Sequence, residues 1–445
     1  MRDQDLPKEG LSPDDLFAEL DVRGKGDVDW RGGHTWSLVF YAGEELLDVS
    51  KRAYNQFYAG NALSPFAFPS LQRFENEVVH MTLGMLHAGA EAVGTMTSGG
   101  TESILMAVKA ARDKQRAEHP EVDAPELLLP QSAHPAFDKA AHYLGLRTRR
   151  IPLREDFRAD VEAAESMITP NTALMVGSAP GYPHGVVDPI AELASLAEAR
   201  GVSFHVDACL GGFFLPWLEK LGYAVPPFDF RVSGVTSISA DIHKYGYGPR
   251  GTSTILYRSE AYRRHQFFAQ VDWPGGLYGS PSMTGSRPGG AIAAAWAVMR
   301  YLGEDGYLRL AKQTMDTTLA LREGIEAIDG LSVLGNPEMS VFAIGSEELD
   351  LFRVAQGMQD AGWNVDAQHR PAAMHMMVNA AHAQIVEPFL EDLRQVVERS
   401  RTRATGGQTM LAAMYGMAAS ATNDGPVEQA IVQLIGELFP PRPKS

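Results

Sequence analysis

The sequence predicts an α/β protein: a large domain built on a mostly parallel sheet, followed by a smaller C-terminal α+β domain. Between Ala92 and Tyr257, short β-branched or apolar runs alternate with longer stretches of helical period, the pattern of parallel strands covered on both faces. Beyond a Gly-, Ser- and Pro-rich loop at Trp273–Gly290 the character changes to long helices and a few short strands. A chain of 445 residues also exceeds what one hydrophobic core usually supports. We therefore expect an N-terminal segment over 1–69, the large domain over 70–315 and the small one over 316–445.

Taken in order, residues 1–35 are acidic and glycine-bearing and read as an extended arm. A helix is expected from Glu44 to Phe57. The run Gly60–Pro69, with two prolines and an asparagine, is a loop, and helix resumes at Ser70. Strands are expected at 92–97, 126–129, 148–153, 172–177, 202–206, 235–239 and 253–257. The helices between them include 101–117, where Ile104, Leu105, Val108 and Ala111 share one face, and also 135–144 and 188–199. After the loop, helices over 291–302 and 304–329 lead into strands near 331–334, 340–345 and 374–379, with helices at 350–361 and 384–399.

The formal net charge of −16 argues against nucleic acid as a partner and against docking on an anionic membrane. The single cysteine, Cys209, allows no intrachain disulfide and fits a cytoplasmic setting. Met1–Gly10 lacks an apolar signal core, and the longest clean apolar run, Ala291–Met299, is too short to span a bilayer.

Three constellations carry chemistry. In Ser239–Gly246, Lys244 follows a strand of small and β-branched residues, where a lysine is placed to be a nucleophilic amine. In Thr97–Ser103, two glycines open a helix whose free N–H groups and dipole can hold a phosphate, with Ser98 and Thr101 hydroxyls nearby. The same turn also reads as an ordinary strand-to-helix connection with a Ser or Thr cap. It has neither the GxGxxG spacing nor a P-loop lysine. In His205-Val206-Asp207, the acid ends a strand at the edge where such sheets bind ligands. Asp207 could ligate a metal, pair with a cationic ring or cap a turn. His134 also follows a strand. No HExxH or paired Cys/His spacing supports a metal site through His134, His205, Asp207 and His243. A phosphate cradle, a carboxylate for a pyridinium nitrogen, an imidazole to stack on a ring and an isolated lysine together suit pyridoxal 5'-phosphate.

Thr97–Met106, Gln131–Ala141, His205–Phe213, Asp229–Gly248 and Gly285–Gly290 resemble the sphingosine-1-phosphate lyases, within the pyridoxal-phosphate-dependent group II decarboxylase family. The likeness runs from about Tyr41 to Ala418. It implies fold type I, a homodimer with active sites shared between subunits, and Lys244 as the Schiff-base lysine. By the same resemblance Asp207 partners the ring nitrogen and His134 stacks on the ring. Ser98, Gly99, Gly100, Thr101, Ser178 and His243 would hold the cofactor, joined by Gly285 and Ser286 from the facing subunit. Tyr41, Tyr182 and Tyr415 fall where the family places active-site tyrosines, and Asn61, Ser64 and Arg250 where it meets substrate. The implied reaction is a retro-aldol cleavage of a phosphorylated long-chain or related β-hydroxy amine to an aldehyde and phosphoethanolamine. The alternatives are an amino-acid decarboxylase of the same family and a cofactor-binding protein without turnover. Two departures bear on substrate. The family's Asn-Pro-Leu-His-Pro-Asp loop reads Asn61-Ala62-Leu63-Ser64-Pro65-Phe66 here, and a lysine of the family is Arg250. Arginine can clamp a phosphate but cannot serve as a base. The family's membrane anchor has no counterpart, as in bacterial members.

Overall fold

A computed structural model describes residues 6–402 and 425–439. The large sheet is formed by β1 (Val93–Thr97), β2 (Glu126–Pro130), β3 (Arg147–Ile151), β4 (Thr172–Ser178), β5 (Ser203–Asp207), β6 (Ser237–Ala240) and β7 (Ser253–Tyr257). Their spatial order is β1-β7-β6-β5-β4-β2-β3. The pairs from β3 across to β6 are parallel, whereas β7 runs antiparallel to both β1 and β6. Short connections around Lys244 bring the chain straight back along β6, so no crossover helix intervenes and the strand must reverse.

The helices of this domain are α1 (Pro13–Arg23), α2 (Glu44–Gln56), α3 (Pro69–Met85), α4 (Gly100–Glu118), α5 (Ala136–Leu144), α6 (Val161–Met167), α7 (Ile190–Ala199), α8 (Leu215–Lys220), α9 (Glu260–Arg263) and α10 (Gly289–Glu326). Side-chain alternation puts a layer of helices on each face of the sheet. Leu127 and Leu129 of β2, with Leu174 and Val176 of β4, face Ile104, Leu105 and Val108 of α4 and Phe137 of α5. Their neighbours Leu128 and Met175 point the other way, into the core shared with Ile190 and Leu193 of α7 and with α10. A sheet covered on both faces explains why every residue of β4 is buried.

The expected extended arm contains a helix instead. Ser12 caps α1 by accepting the Asp15 N–H at 3.2 Å, and Pro13 occupies its first turn. Helix α3 opens at Pro69 with Phe68 before it, one residue ahead of the expected Ser70 cap. Helix α10 is broken at Gly303, as the two expected helices require, but its second half runs through residue 316. The loop at 273–290 supplies one strand of a hairpin, β8 (Phe268–Gln270) with β9 (Tyr278–Ser280).

The small domain has a four-stranded antiparallel sheet, β10 (Ser332–Val333), β11 (Val341–Gly345), β13 (Ala373–Met377) and β12 (Asp366–Gln368) in that order. Helices α11 (Leu351–Asp360) and α12 (Val386–Thr402) cover it. Its core includes Trp36 from the N-terminal segment, fully buried and stacked on His382 at 4.3 Å. A terminal helix, Gly425–Leu438, buries no residue. Among the described residues no helix is long and apolar enough to cross a membrane.

Candidate active site

Three adjacent parallel strands end side by side and deliver the site. In register, Ser178 of β4 lies beside Asp207 of β5, and Asp207 beside Ser239 of β6, from which the chain turns into Asp241–Lys244. Ligand sites in open α/β sheets form at this carboxyl edge. The cleft there, about 320 Å³, is lined by Ser98–Thr101, His134, Ser178, Tyr182, Asp207, Cys209, Asp241, His243 and Lys244, among others.

The turn after β1 forms one wall. Gly99 has φ +151°, in a region side chains rarely adopt, and a Cβ on Gly100 would lie 2.8 Å from the Cys209 sulfur and 2.9 Å from Asp241 Oδ2. Only bare backbone fits, and it presents the first N–H groups of α4 to the cleft.

Asp207 is buried. Its Oδ1 accepts the Cys209 N–H and the Ser239 hydroxyl, both at 3.1 Å. Ser239 is in turn held by His205, whose Nδ1 meets Ser237 Oγ at 2.9 Å and whose Nε2 meets Ser239 Oγ at 3.2 Å. Burial lowers the His205 pKa to about 4, so the ring is neutral and structural. Among the described residues no group of three or more His, Cys, Asp or Glu is placed to hold a metal.

Lys244 makes an ion pair with Asp241, Nζ to Oδ2 at 3.0 Å. Burial alone would lower the lysine pKa, but the Asp241 carboxylate, helped by Cys209 and Asp207, overrides it and pushes it up to about 12. Burial pushes Asp241 the opposite way, and the charges of Lys244 and His243 bring its pKa below the usual carboxylate value. His243 Nε2 stands 3.6 Å from the same oxygen, and burial lowers its pKa against that attraction. His134 sits at the cleft mouth, where its Nδ1 accepts the Ala136 N–H at 3.1 Å and so leaves Nε2 to carry the proton. Desolvation by the surrounding cleft lowers its pKa, opposed by Asp207.

The donor set fits pyridoxal phosphate on grounds internal to the structure. Ser178 Oγ, Asp241 Oδ1 and His243 Nδ1 are buried around the cleft without a hydrogen-bond partner among the described residues. Buried polar atoms of this kind are rare unless something completes them. The glycine turn leaves room where any Cβ would intrude.

The structure does not bring every expected residue to this cleft. Ser98, Gly99, Gly100, Thr101, His134, Ser178, Tyr182, Asp207, His243 and Lys244 line it. Tyr41 lines a separate cleft with Tyr247 and Pro249, and its hydroxyl donates to Glu44 at 2.8 Å. Asn61 and Ser286 bond each other at 3.0 Å, Gly285 sits by the Tyr278 hydroxyl, and none of the three lines the cleft of Lys244. Ser64 caps a turn at Ala67, and Arg250 donates to the His243 carbonyl at 2.9 Å. Tyr415 lies outside the described residues. Sequence reasoning passed over Asp241 as a partner, although an acid three residues before a lysine in a tight turn is itself a signal of pairing.

The family model of the pyridoxal-dependent decarboxylase conserved domain matches residues 58–343. The chain is 44% identical to sphingosine-1-phosphate lyase of Arabidopsis thaliana, over 98% of this chain and 81% of that protein. It is 42% identical to sphingosine-1-phosphate lyase 1 of Rattus norvegicus, over 98% and 76%. The solved structure of a Burkholderia pseudomallei sphingosine-1-phosphate lyase superposes with a TM-score of 0.90 at 38% identity, covering 99% of this chain and 98% of that one. A glutamate decarboxylase of Lactobacillus brevis, at 20% identity and a TM-score of 0.80, shares the fold.

Proposed function

From the premise that the chain belongs to the pyridoxal-dependent decarboxylase family, among its sphingosine-1-phosphate lyases, we propose that it cleaves the C2–C3 bond of a phosphorylated long-chain β-hydroxy amine. The products are an aldehyde and phosphoethanolamine. The chain is a pyridoxal-phosphate-dependent lyase, and the decarboxylase alternative is not favoured by its relatives. The observation that carries the reading is the convergence of Lys244, Asp207, His134 and the Gly99–Thr101 turn on one cleft.

Bound there, pyridoxal phosphate supplies an electron sink for the pair released when the C2–C3 bond breaks. The residues of the chain do the rest. The first N–H groups of α4, with the Ser98 and Thr101 hydroxyls and His243, bind the phosphate. Asp207, anchored through Oδ1 by Cys209 and Ser239, would hold the proton of the ring nitrogen. His134 would pack against the ring. Lys244, tied to Asp241 at 3.0 Å, would be the amine that holds the cofactor. Arg250, permanently charged, serves as a phosphate clamp and not as a base.

Two subunits complete each site in this reading. Gly285, Ser286, Asn61 and Ser64 do not line the Lys244 cleft within one chain, and large apolar side chains close to them in sequence are exposed, among them Phe66 at 96% and Leu277 at 85%. Ser64, Phe66 and Arg250 give the substrate side its own character.

The test is a product screen. Aldehyde release from β-hydroxy amines, faster for phosphorylated than for unphosphorylated ones, is the expected result. Carbon dioxide from amino acids with no aldehyde would overturn the lyase reading.

A further inference from the structure

The cleft tyrosine Tyr182 belongs to the large domain, yet its position is set by the small one. Its ring stacks on His375 of β13, with centroids 4.1 Å apart and planes 15° from parallel. His375 is fully buried, and its Nε2 donates to the Tyr182 carbonyl at 2.9 Å. That bond fixes the neutral tautomer and leaves Nδ1 without a partner among the described residues. The next carbonyl, of Pro183, accepts from Gln368 Nε2 of β12 at 2.8 Å. Two residues on, Gly185 has φ +70°, and a Cβ there would stand 1.8 Å from the Val341 carbonyl of β11. Three strands of the small sheet thus grip one loop.

The phenol end is also met from the small domain. The Tyr182 hydroxyl donates to Asp366 Oδ2 of β12 at 3.5 Å, and Asp366 lies directly opposite His375 in the β12–β13 ladder. One rung of that ladder therefore holds the ring by its face and its hydroxyl by a carboxylate. A phenol has one proton. When Asp366 receives it, the oxygen is left as an acceptor, on a residue that lines the cleft with Lys244.

We propose that Asp366 is a positioning residue for bond cleavage, acting through Tyr182 to make its oxygen the acceptor of the substrate hydroxyl proton. This rests on the lyase reading above. As the C3 hydroxyl proton passes to Tyr182 Oη, the phenol proton passes to Asp366 Oδ2. The electron pair of the broken O–H bond becomes the second bond of the aldehyde carbonyl, and the C2–C3 pair stays with C2. Asp366, half-buried, is reset by releasing its proton to solvent. His375 keeps the ring in plane and takes no proton, since burial lowers its pKa to about 4.

The experiment is a double-mutant cycle on the holoenzyme, reading aldehyde release, cofactor absorbance and melting temperature. Asp366→Asn is expected to lower kcat by roughly ten- to a hundredfold, with KM changed less than about threefold and cofactor content intact. In a Tyr182→Phe background the same change should cost less than about twofold, because the relay is already cut. Asp366→Glu should recover part of the loss, and it carries the comparison if Asp366→Asn loses the native melting transition. Full, independent losses from the two substitutions, or an unchanged kcat in Asp366→Asn, would overturn the inference while leaving the lyase reading standing. A wild-type enzyme that releases no aldehyde from any β-hydroxy amine would remove both.

Discussion

Lys244 shows how one neighbour decides what a residue can do. With its pKa at about 12 it is an ammonium ion at neutral pH, and an ammonium is no nucleophile. Without Asp241, the largest influence opposing burial is gone and the amine is freed of its proton at lower pH. Cofactor incorporation into the apoprotein should accelerate with rising pH, and in Asp241→Asn the midpoint of that rise should move to lower pH. Stopped-flow absorbance on apoprotein reads it, and an unmoved midpoint would show that the ion pair does not control the lysine. Lys244→Ala should lose the borohydride-bleached absorption band altogether, and a colourless wild type would remove the cofactor assignment. Asp207→Ala is expected to retain some cofactor but lose turnover by roughly a hundredfold or more. At this scale the sequence was most legible where chemistry is local. Lys244, Asp207 and the glycine turn announce themselves by residue type and strand-end position. Asp366 and His375 do not, because what makes them interesting is a rung of a distant ladder that no local pattern encodes.

The elements of the large domain were legible because strand and helix write different periods, and because Gly and Pro punctuate them. What the period cannot record is direction, so the reversal at β7 appears only in the register of Ser239 with Ile255. Helix α1 was missed for a different reason. It buries nothing, so it carries little apolar stripe, and its signal is the Ser12–Pro13 cap alone. The loop from Ala179 to Val186 joins β4 to α7 and touches β11, where Gly185 leaves no space for a side chain. Gly185→Ala combines a positive φ with a backbone clash, and a loss of about 3 kcal/mol or more is expected in chemical denaturation. A variant as stable as wild type would mean that the two domains do not meet there as described.

At the scale of the molecule, four histidines among the described residues are buried in the neutral state. His184, His205, His375 and His382 each have their pKa lowered to about 4, chiefly by burial. In the unfolded chain they titrate near 6.5, so between those values the unfolded state binds more protons and stability falls as the pH drops. Asp188, raised by burial to about 6, works in the opposite sense over part of the window but is one group against four. The melting temperature is therefore expected to fall steeply from pH 6.5 toward pH 4.5. A flat profile would show that these rings are hydrated in solution.

Trp36, seated in the core of the small domain, has a consequence for how the chain acquires its structure. The Thr35 carbonyl accepts from His382, 347 positions later, and Asn379 donates to the Val39 carbonyl across 340. Closing so long a loop adds only a logarithmic entropic penalty, but it makes the contact a late one. On the ribosome, the Trp36 segment waits with its indole exposed until β13 and the turn after it have emerged. The C-terminal region is accordingly no cassette: translated from residue 316 onward, it has a hole where Trp36 belongs.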